Sequence, residues 1–308
     1  MEYLILVVAL SALIYGAELL IVQSEKIAFH FNISPFVVGA SLIALGTSLP
    51  ELAASVQASF LGKSELAVSN VLGSNILNIA LVLGAVFLFA KKIEPERDLF
   101  QEDSAWLFVP VFIFILTIFD GVISRAEGLV LLLVMVAYLL FLIQNGSDDL
   151  TEDLEEDDKE GFNWFKALPI LIAGFVLVVY GAQFTIDSAA NIARSFGISE
   201  WIIGLLLLAL GTSLPELVVS IKAALKGNAE MALGNIIGSN LSNIAVVLGA
   251  ASLVNPLHIN LEMAMFDIVT MVGLTILFIF VLANKLYSKS TGILFFAITA
   301  LMVMHSVG

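Results

Sequence analysis

Long runs of apolar residues, separated by short polar segments, cover most of this chain. A helix needs about 20 residues to cross about 30 Å of hydrocarbon, whereas a membrane β-strand needs about ten residues with strict alternation. The apolar runs in this chain are longer than ten residues and apolar on every side, which predicts helices. Ten membrane helices are predicted, with approximate limits of 3–22, 34–61, 66–90, 104–119, 126–144, 165–190, 200–225, 229–253, 262–283 and 290–306.

The composition agrees with a chain that is covered by lipid. Of the 308 residues, 60% are hydrophobic and 13% are charged, and the mean hydropathy is +1.04. A soluble domain is about 45–50% apolar and about 25% charged, and it needs a polar surface that this chain cannot supply. The predicted fold class is therefore an all-α polytopic membrane protein. A soluble enzyme, a nucleic-acid-binding protein and a disordered chain are excluded.

Charge and residue types narrow the chemistry further. The net charge of −14 repels nucleic acid and favours cations as partners. There is no cysteine, and the three histidines lie far apart in sequence, so disulfides and thiolate sites are absent and a zinc site is not indicated. No catalytic triad or nucleotide-binding loop suggests an enzyme, and no cofactor is expected.

Lysine and arginine positions predict the orientation in the cell membrane. With the N-terminus outside, three basic residues lie outside and ten lie in cytoplasmic segments, which is a positive-inside bias. Both termini are then extracellular. The N-terminus lacks a basic region before its apolar run, which favours a first membrane helix over a cleaved signal peptide. The ten cytoplasmic residues are Lys26, Lys91, Lys92, Arg97, Lys159, Lys166, Lys222, Lys226, Lys285 and Lys289.

One long polar segment divides the chain into two halves. It runs from Gln144 to Asn163 and holds nine acidic residues between Asp148 and Glu160. The predicted organisation is a five-helix repeat over residues 1–144, an acidic cytoplasmic linker over 145–163 and a second five-helix repeat over 164–308. A regulatory calcium site in the linker is an alternative, but no EF-hand pattern is present, which favours a solvated linker.

The two halves repeat each other in sequence. Residues 39–84 and 204–249 align without gaps at a constant offset of 165, and 26 of the 46 positions are identical. Shared polar residues are not explained by membrane composition, since polar groups are costly in lipid. With five helices per half, the second half enters the membrane from the opposite side. Such inverted-topology repeats are found in many secondary transporters.

Each half carries a proline that predicts a broken helix. Pro50 and Pro215 lack an N–H, and each ring clashes with the carbonyl four residues back, so helices 2 and 7 are expected to open near Gly46 and Gly211. Open backbone at membrane depth is tolerated where it lines a cavity or is buried in protein. A simple kink is the alternative interpretation.

Polar side chains next to these breaks predict a cation site that uses only oxygen ligands. Glu51 and Glu216 are expected to be buried, and a buried carboxylate without a cation would protonate or destabilise the fold. Together they would give the site a charge of −2, suited to Ca²⁺ or Na⁺. The alternative for an isolated serine or threonine is a hydrogen bond to its own helix. The accompanying residues are Thr47, Ser48, Thr212 and Ser213 beside the breaks, with Ser74, Asn78, Ser239 and Asn243 on the following helix of each half.

The doubled GTSLPEL segment, with GSNILNI and GSNLSNI, resembles the sodium/calcium exchanger family, in particular its short prokaryotic calcium/sodium antiporters. The resemblance covers essentially the whole chain. It implies one Ca²⁺ site and three Na⁺ sites between helices 2, 3, 7 and 8, with the carbonyls of Ala44 and Ala209 as further ligands. It also implies that helices 1 and 6 slide across this core and that three Na⁺ exchange for one Ca²⁺, which would drive electrogenic calcium export. The protein is expected to function as a monomer.

Several alternatives remain open from the sequence. Some family members have Asp where this chain has Asn243, and an asparagine cannot ionise, which argues against K⁺ co-transport and against proton competition at that position. The alternative function is a proton-coupled or K⁺-dependent calcium/cation antiporter. A passive cation channel would conduct without coupling, and a calcium sensor would depend on residues 148–160 rather than on Glu51 and Glu216.

Overall fold

A computed structural model describes residues 2–90, 92–93, 95, 97–146, 163–197 and 211–307. These residues are helical except for short connections and one antiparallel pair of two-residue strands, in which Val122 pairs with His258. The elements are α1 (Glu2–Phe31), α2 (Pro35–Thr47), α3 (Leu49–Phe60), α4 (Ser64–Phe89), α5 (Leu99–Thr117), β1 (Val122–Ile123), α6 (Arg125–Asn145), α7 (Trp164–Ser195), α8 (Leu214–Leu225), α9 (Ala229–Val254), β2 (Leu257–His258), α10 (Leu261–Ala283) and α11 (Lys289–Val307).

Many of these helices are long and apolar enough to cross a membrane. Among the described residues there are seven such helices, and eight when α2 and α3 are counted as one bent span. Helix α11 is apolar but shorter, and α8 is preceded by residues outside the described part of the chain. The protein is therefore an all-helical, multi-pass membrane protein.

Helices α1 and α5 each differ from the sequence prediction at one end, α1 because of tertiary contacts and α5 because of a local cap. Helix α1 extends nine residues beyond the predicted end at residue 22, because Gln23 and Ser24 are buried against the rest of the protein rather than exposed to lipid. Helix α5 begins five residues before the predicted start. There Asp98 accepts a hydrogen bond from the backbone N–H of Gln101 and caps the first turn.

The predicted break in the second membrane span is present two residues before the proline. Ser48 leaves helical geometry at φ −80° and ψ 5°, and the axes of α2 and α3 meet at 43°. Ser213 has nearly the same geometry, φ −84° and ψ 1°, at the start of α8. In both halves the proline takes the second helical position, where its missing N–H costs nothing.

Helices α4 and α9 form the centre of the molecule. Within them 78% and 83% of the membrane-spanning window is buried, against about a third for most other spans. Both contain a π-helical turn at equivalent positions, Asn78–Leu83 and Asn243–Leu248. Such turns expose carbonyls and often occur at functional sites.

Helices α1 and α7 pack against each other along their length at the edge of this core. A Cβ on Gly16 would lie 2.9 Å from the carbonyl oxygen of Gly174, so the two main chains approach closely there. The ring of Phe175 on α7 covers Gly46, beside the break in the second span. The pair therefore lies directly against the broken helix.

Candidate cation-binding site

Two acidic side chains lie at the centre of the core. Glu51 is in the first turn of α3 and Glu216 is in the first turn of α8, and both are 0% exposed. None of their four carboxylate oxygens accepts a hydrogen bond from the described residues. Since an uncompensated buried carboxylate is costly, this arrangement requires a bound cation or protonation.

Each carboxylate lies near hydroxyl groups from the opposite half of the chain. Glu51 lies near Thr212 of the opposite half and Ser74 of its own half, and Glu216 lies near Thr47 and Ser48 of the opposite half. The charge of Glu51 also acts on Glu216, so the two carboxylates share one environment. The sequence placed them 165 residues apart, and the fold brings them together.

The threonines beside the breaks make hydrogen bonds across the two halves. The Thr47 hydroxyl lies 3.3 Å from Asn235 Oδ1 and 3.5 Å from Ser239 Oγ. The Thr212 hydroxyl lies 3.0 Å from Ser74 Oγ. Four of the predicted residues, Thr47, Ser239, Ser74 and Thr212, are therefore in direct contact in two pairs.

The remaining predicted side chains are buried with unused polar atoms. Ser48 Oγ, Ser213 Oγ and both amide atoms of Asn78 have no hydrogen-bond partner in the part of the chain that the structure describes. Asn243 donates to Asn75 Oδ1 at 3.0 Å, which leaves its own Oδ1 without a partner. Asn78 and Asn243 each begin a π-helical turn. Unpaired buried oxygens are the groups that a bound ion would satisfy.

Of the two main-chain carbonyls expected as ligands, those of Ala44 and Ala209, the structure describes only the first. The carbonyl of Ala44 lies beside the break, where it accepts the N–H of Ser48 and lies 3.3 Å from the Thr47 hydroxyl. Its role as a ligand stays a prediction. Ala209 lies outside the described residues. Its expected role stays a prediction.

The structure also reveals polar residues that the sequence reading missed. Asn70 Nδ2 donates to Ser55 Oγ at 2.9 Å, and Asn235 Nδ2 donates to Ser220 Oγ at 2.9 Å. Both asparagines also contact a threonine of the opposite half. A signal was present in the sequence, because Ser55 and Asn70 have identical residues, Ser220 and Asn235, at the offset of 165.

The chemistry of this cluster suits a hard cation. All available ligand atoms are carboxylate, hydroxyl, amide or main-chain oxygens, and the two glutamates supply a charge of −2. Ca²⁺ and Na⁺ prefer such ligands, whereas soft metals prefer sulfur or imidazole.

A buried ion pair lies away from this cluster. Arg97 donates two hydrogen bonds to Asp103, of 2.7 and 3.3 Å, and a third to the carbonyl of Asn145. Burial lowers the pKa of Arg97, but the hydrogen bonds and charge of Asp103 outweigh burial and raise it above its usual value. This pair ties the connection before α5 to the end of α6 and is structural.

An ion pair also joins α1 to α8. Glu18 on α1 pairs with Lys222 at 3.1 Å and with Lys226. All three side chains are about one-third exposed, so the pairs contribute little to stability.

Comparisons with known proteins agree with this geometry. The chain is 37% identical to an uncharacterised membrane protein, MJ0091, of Methanocaldococcus jannaschii over 93% of this chain and 91% of that one. It is 29% identical to the sodium/calcium exchanger MaX1 of Methanosarcina acetivorans, with 86% of each chain covered. The solved structure of the sodium-calcium exchanger NCX_Mj superposes with a TM-score of 0.84 at 34% identity, covering 98% of both chains.

A family model extends the match over nearly the whole sequence. The model for the sodium/calcium exchanger protein matches residues 1–144 and 166–308, which leaves out only the acidic linker and its edges. The two matched segments contain both copies of the repeat and every residue of the cluster. The chain belongs to the sodium/calcium exchanger protein family.

Proposed function

We propose that this protein exchanges Na⁺ for Ca²⁺ across the cell membrane by alternating access through the buried cluster. The observation that carries the proposal is the pair Glu51 and Glu216, fully buried, electrostatically linked and without hydrogen-bond partners among the described residues. The relatives MaX1 and NCX_Mj are named as sodium/calcium exchangers. The protein is a secondary transporter and not an enzyme.

The proposed ligands are the oxygen atoms that surround these two carboxylates. Glu51 and Glu216 would hold Ca²⁺, and the neutral oxygens would complete its shell and serve Na⁺. The full set is Glu51, Glu216, Thr47, Ser48, Thr212, Ser213, Ser74, Asn78, Ser239 and Asn243, with the carbonyls of Ala44 and Ala209. It comes from one chain, so a monomer would suffice.

We propose ten membrane helices arranged as two inverted five-helix repeats over residues 1–144 and 164–308. The reciprocal contacts support this arrangement. Thr47 contacts Asn235, and Thr212 contacts Asn70, so the same two repeat positions exchange partners between the halves. Reciprocity of this kind is the mark of a two-fold relation. The π-helical turns at equivalent positions of α4 and α9 add to it.

The proposed orientation places both termini outside and the linker 145–163 in the cytoplasm. It rests on the ten-to-three distribution of basic residues. Helices α1 and α7, packed on each other beside the break, would move as a pair against the core. Phe175 would then uncover or cover the site at Gly46.

Charge sets the direction of transport. Two carboxylates balance one Ca²⁺, so the calcium-loaded site is neutral, whereas three Na⁺ leave it at +1. Moving one charge is worth about 2.3 kcal/mol per 100 mV. An inside-negative membrane would therefore drive calcium out of the cell.

The test is ⁴⁵Ca²⁺ uptake into proteoliposomes loaded with Na⁺. An outward Na⁺ gradient is expected to drive uptake, and an inside-positive potential is expected to accelerate it, because one net positive charge leaves the vesicle in each cycle. Uptake driven by a pH gradient with Na⁺ irrelevant, or calcium flux without any counter-ion, would overturn the proposal.

Glutamate-to-glutamine variants locate the activity. Glu51→Gln and Glu216→Gln keep the shape of the side chain but remove half of the site's charge, and each is expected to abolish uptake. Asp187→Asn is the matched control, since Asp187 is an exposed acid on α7 outside the cluster. If both glutamine variants took up ⁴⁵Ca²⁺ as fast as Asp187→Asn and the wild type, the assignment of the site would be wrong.

A further inference from the structure

A hydroxyl that binds a cation must direct its proton elsewhere. Threonine carries one O–H proton and two lone pairs, and a metal ion needs a lone pair. Thr47 and Thr212 can therefore serve as ligands only if a nearby acceptor takes each proton. The structure contains such an acceptor for both, and it lies on the opposite half of the chain.

The acceptor for Thr212 is the side-chain oxygen of Asn70. The Thr212 hydroxyl lies 3.5 Å from Asn70 Oδ1, a contact at the limit of hydrogen bonding. Asn70 Nδ2 donates to Ser55 Oγ at 2.9 Å and to the main-chain carbonyl of Glu51 at 3.3 Å. Because a carbonyl can only accept, the amide nitrogen must face Glu51 and the amide oxygen must face Thr212.

The direction of this chain of hydrogen bonds is fixed at its far end. Ser55 donates its proton to the carbonyl of Ala67 at 3.2 Å, so its oxygen is free to accept from Asn70. Asn70 Oδ1 is then free to accept the Thr212 proton. In that arrangement the Ser74 hydroxyl, 3.0 Å from the Thr212 hydroxyl, is the donor of the pair. A second lone pair of Thr212 remains available for a cation.

The acceptor for Thr47 is Asn235, at the repeat-equivalent position. The Thr47 hydroxyl lies 3.3 Å from Asn235 Oδ1, and Asn235 Nδ2 donates to Ser220 at 2.9 Å. The Ala44 carbonyl is a competing acceptor at 3.3 Å. Donation to Ala44 would place the Thr47 proton on a carbonyl that is a proposed cation ligand, whereas donation to Asn235 leaves that carbonyl available.

We propose that Asn70 and Asn235 are positioning residues that orient the threonine ligands of the opposite repeat. The inference rests on the proposed exchange function. Neither asparagine touches the ion. Each accepts the threonine proton, and each is held in place by a serine one turn after the glutamate of its own half. The asparagine of each half therefore orients a threonine ligand of the other half.

Burial predicts that the two asparagines contribute unequally to cation affinity. Asn235 is 1% exposed and Thr47 is 0% exposed, so no solvent can replace the lost acceptor. Asn70 and Thr212 are half-buried, and water can accept the proton in place of Asn70. Loss of Asn235 should therefore weaken cation binding more than loss of Asn70.

The test is equilibrium binding of ⁴⁵Ca²⁺ to the purified full-length protein in detergent, in buffer without Na⁺. Removing a group that orients a metal ligand typically costs about 10–100-fold in affinity. Asn235→Ala is expected to raise the Kd for Ca²⁺ at least about tenfold, and Asn70→Ala by less. Asn284→Ala, an exposed asparagine at the end of α10, is the matched control and should change nothing.

A double-mutant cycle separates positioning from general destabilisation. Thr47→Val removes the hydroxyl whose proton Asn235 accepts. If Asn235 acts through that hydroxyl, Asn235→Ala causes no further loss in the Thr47→Val background. Fully multiplicative losses, or a change of less than about twofold for Asn235→Ala alone, would overturn the proposal. Should Asn235→Ala fail to fold, the half-buried pair Asn70→Ala and Thr212→Val gives the same cycle.

The binding readout keeps this inference distinct from the exchange function. A wild-type protein that binds Ca²⁺ and Na⁺ competitively but shows no coupled flux would refute exchange and leave the cycle interpretable. If the wild type shows coupled flux but the losses of the two single variants multiply in the double variant, the exchange function stands and the positioning role is refuted.

Discussion

Gly238 offers a sharp test of how the broken helix is held. This residue lies on α9 against the main chain of α2. A Cβ at this position would be 2.3 Å from the carbonyl oxygen of Ala40 and 2.7 Å from its carbonyl carbon. Ordinary contact begins at 3.4 Å, so 2.3 Å falls short by 1.1 Å. Gly39 and Gly234 make equally close main-chain contacts along the same interface.

The cost of Gly238→Ala follows from this shortfall. Overpacking costs about 1–3 kcal/mol, and the upper end applies because the obstructing atoms are main chain and cannot rotate away. A loss of about 3 kcal/mol corresponds to a fall of about 6 °C in the melting temperature of a large domain. The separation of the helices would also displace Ala40, one turn before Ala44, and weaken Ca²⁺ binding.

The assay is the temperature at which the monodisperse peak is lost on size-exclusion chromatography in detergent. Gly273→Ala on α10 is the control, because Gly273 is exposed and no described residue lies within 4 Å of an added Cβ. A Gly238→Ala protein that melts within about 1 °C of both the wild type and this control would refute the close packing of α2 on α9.

Three further predictions follow from other parts of the structure. Arg97→Met leaves the carboxylate of Asp103 buried without its partner, which should cost about 3–5 kcal/mol of stability. Arg97→Lys should recover part of this stability, and an unchanged melting temperature of Arg97→Met would contradict the ion pair. Ca²⁺ at about 100 times its Kd should stabilise the wild type by about 2.7 kcal/mol but not Glu216→Gln, so equal stabilisation of both would disprove binding at this glutamate. Because the chain has no cysteine, Asp120→Cys should react with an impermeant maleimide on intact cells and Ser290→Cys only after permeabilisation, and the reverse pattern would reject the proposed orientation.

Much of the fold could be predicted from the sequence because the relevant signals are local. Apolar runs of sufficient length predicted the helices, and Pro50 predicted a break that the structure has at Ser48. The end of α1 could not be predicted. The segment after residue 22 begins with the polar residues Gln23 and Ser24. Tertiary packing buries them together with Ile27 and Ala28.

The candidate site was also visible in the sequence, although incompletely. Glu51 and Glu216 stand out as acids within repeated apolar segments, where burial is costly unless a cation compensates. Asn70 and Asn235 did not stand out. Their identity to each other was visible, but not that each holds a hydroxyl of the opposite half.

The sequence by itself determined the membrane class, the two-fold repetition and the kinds of ligand atoms, since these depend on composition and on comparing the two halves of the sequence with each other. Tertiary structure alone decided which groups meet. The hydrogen bonds that shape the site join residues 138 to 192 positions apart. The main-chain contact at Gly238 likewise depends on how α9 crosses α2. No local pattern specifies such distances, because they arise when two complete halves pack against each other.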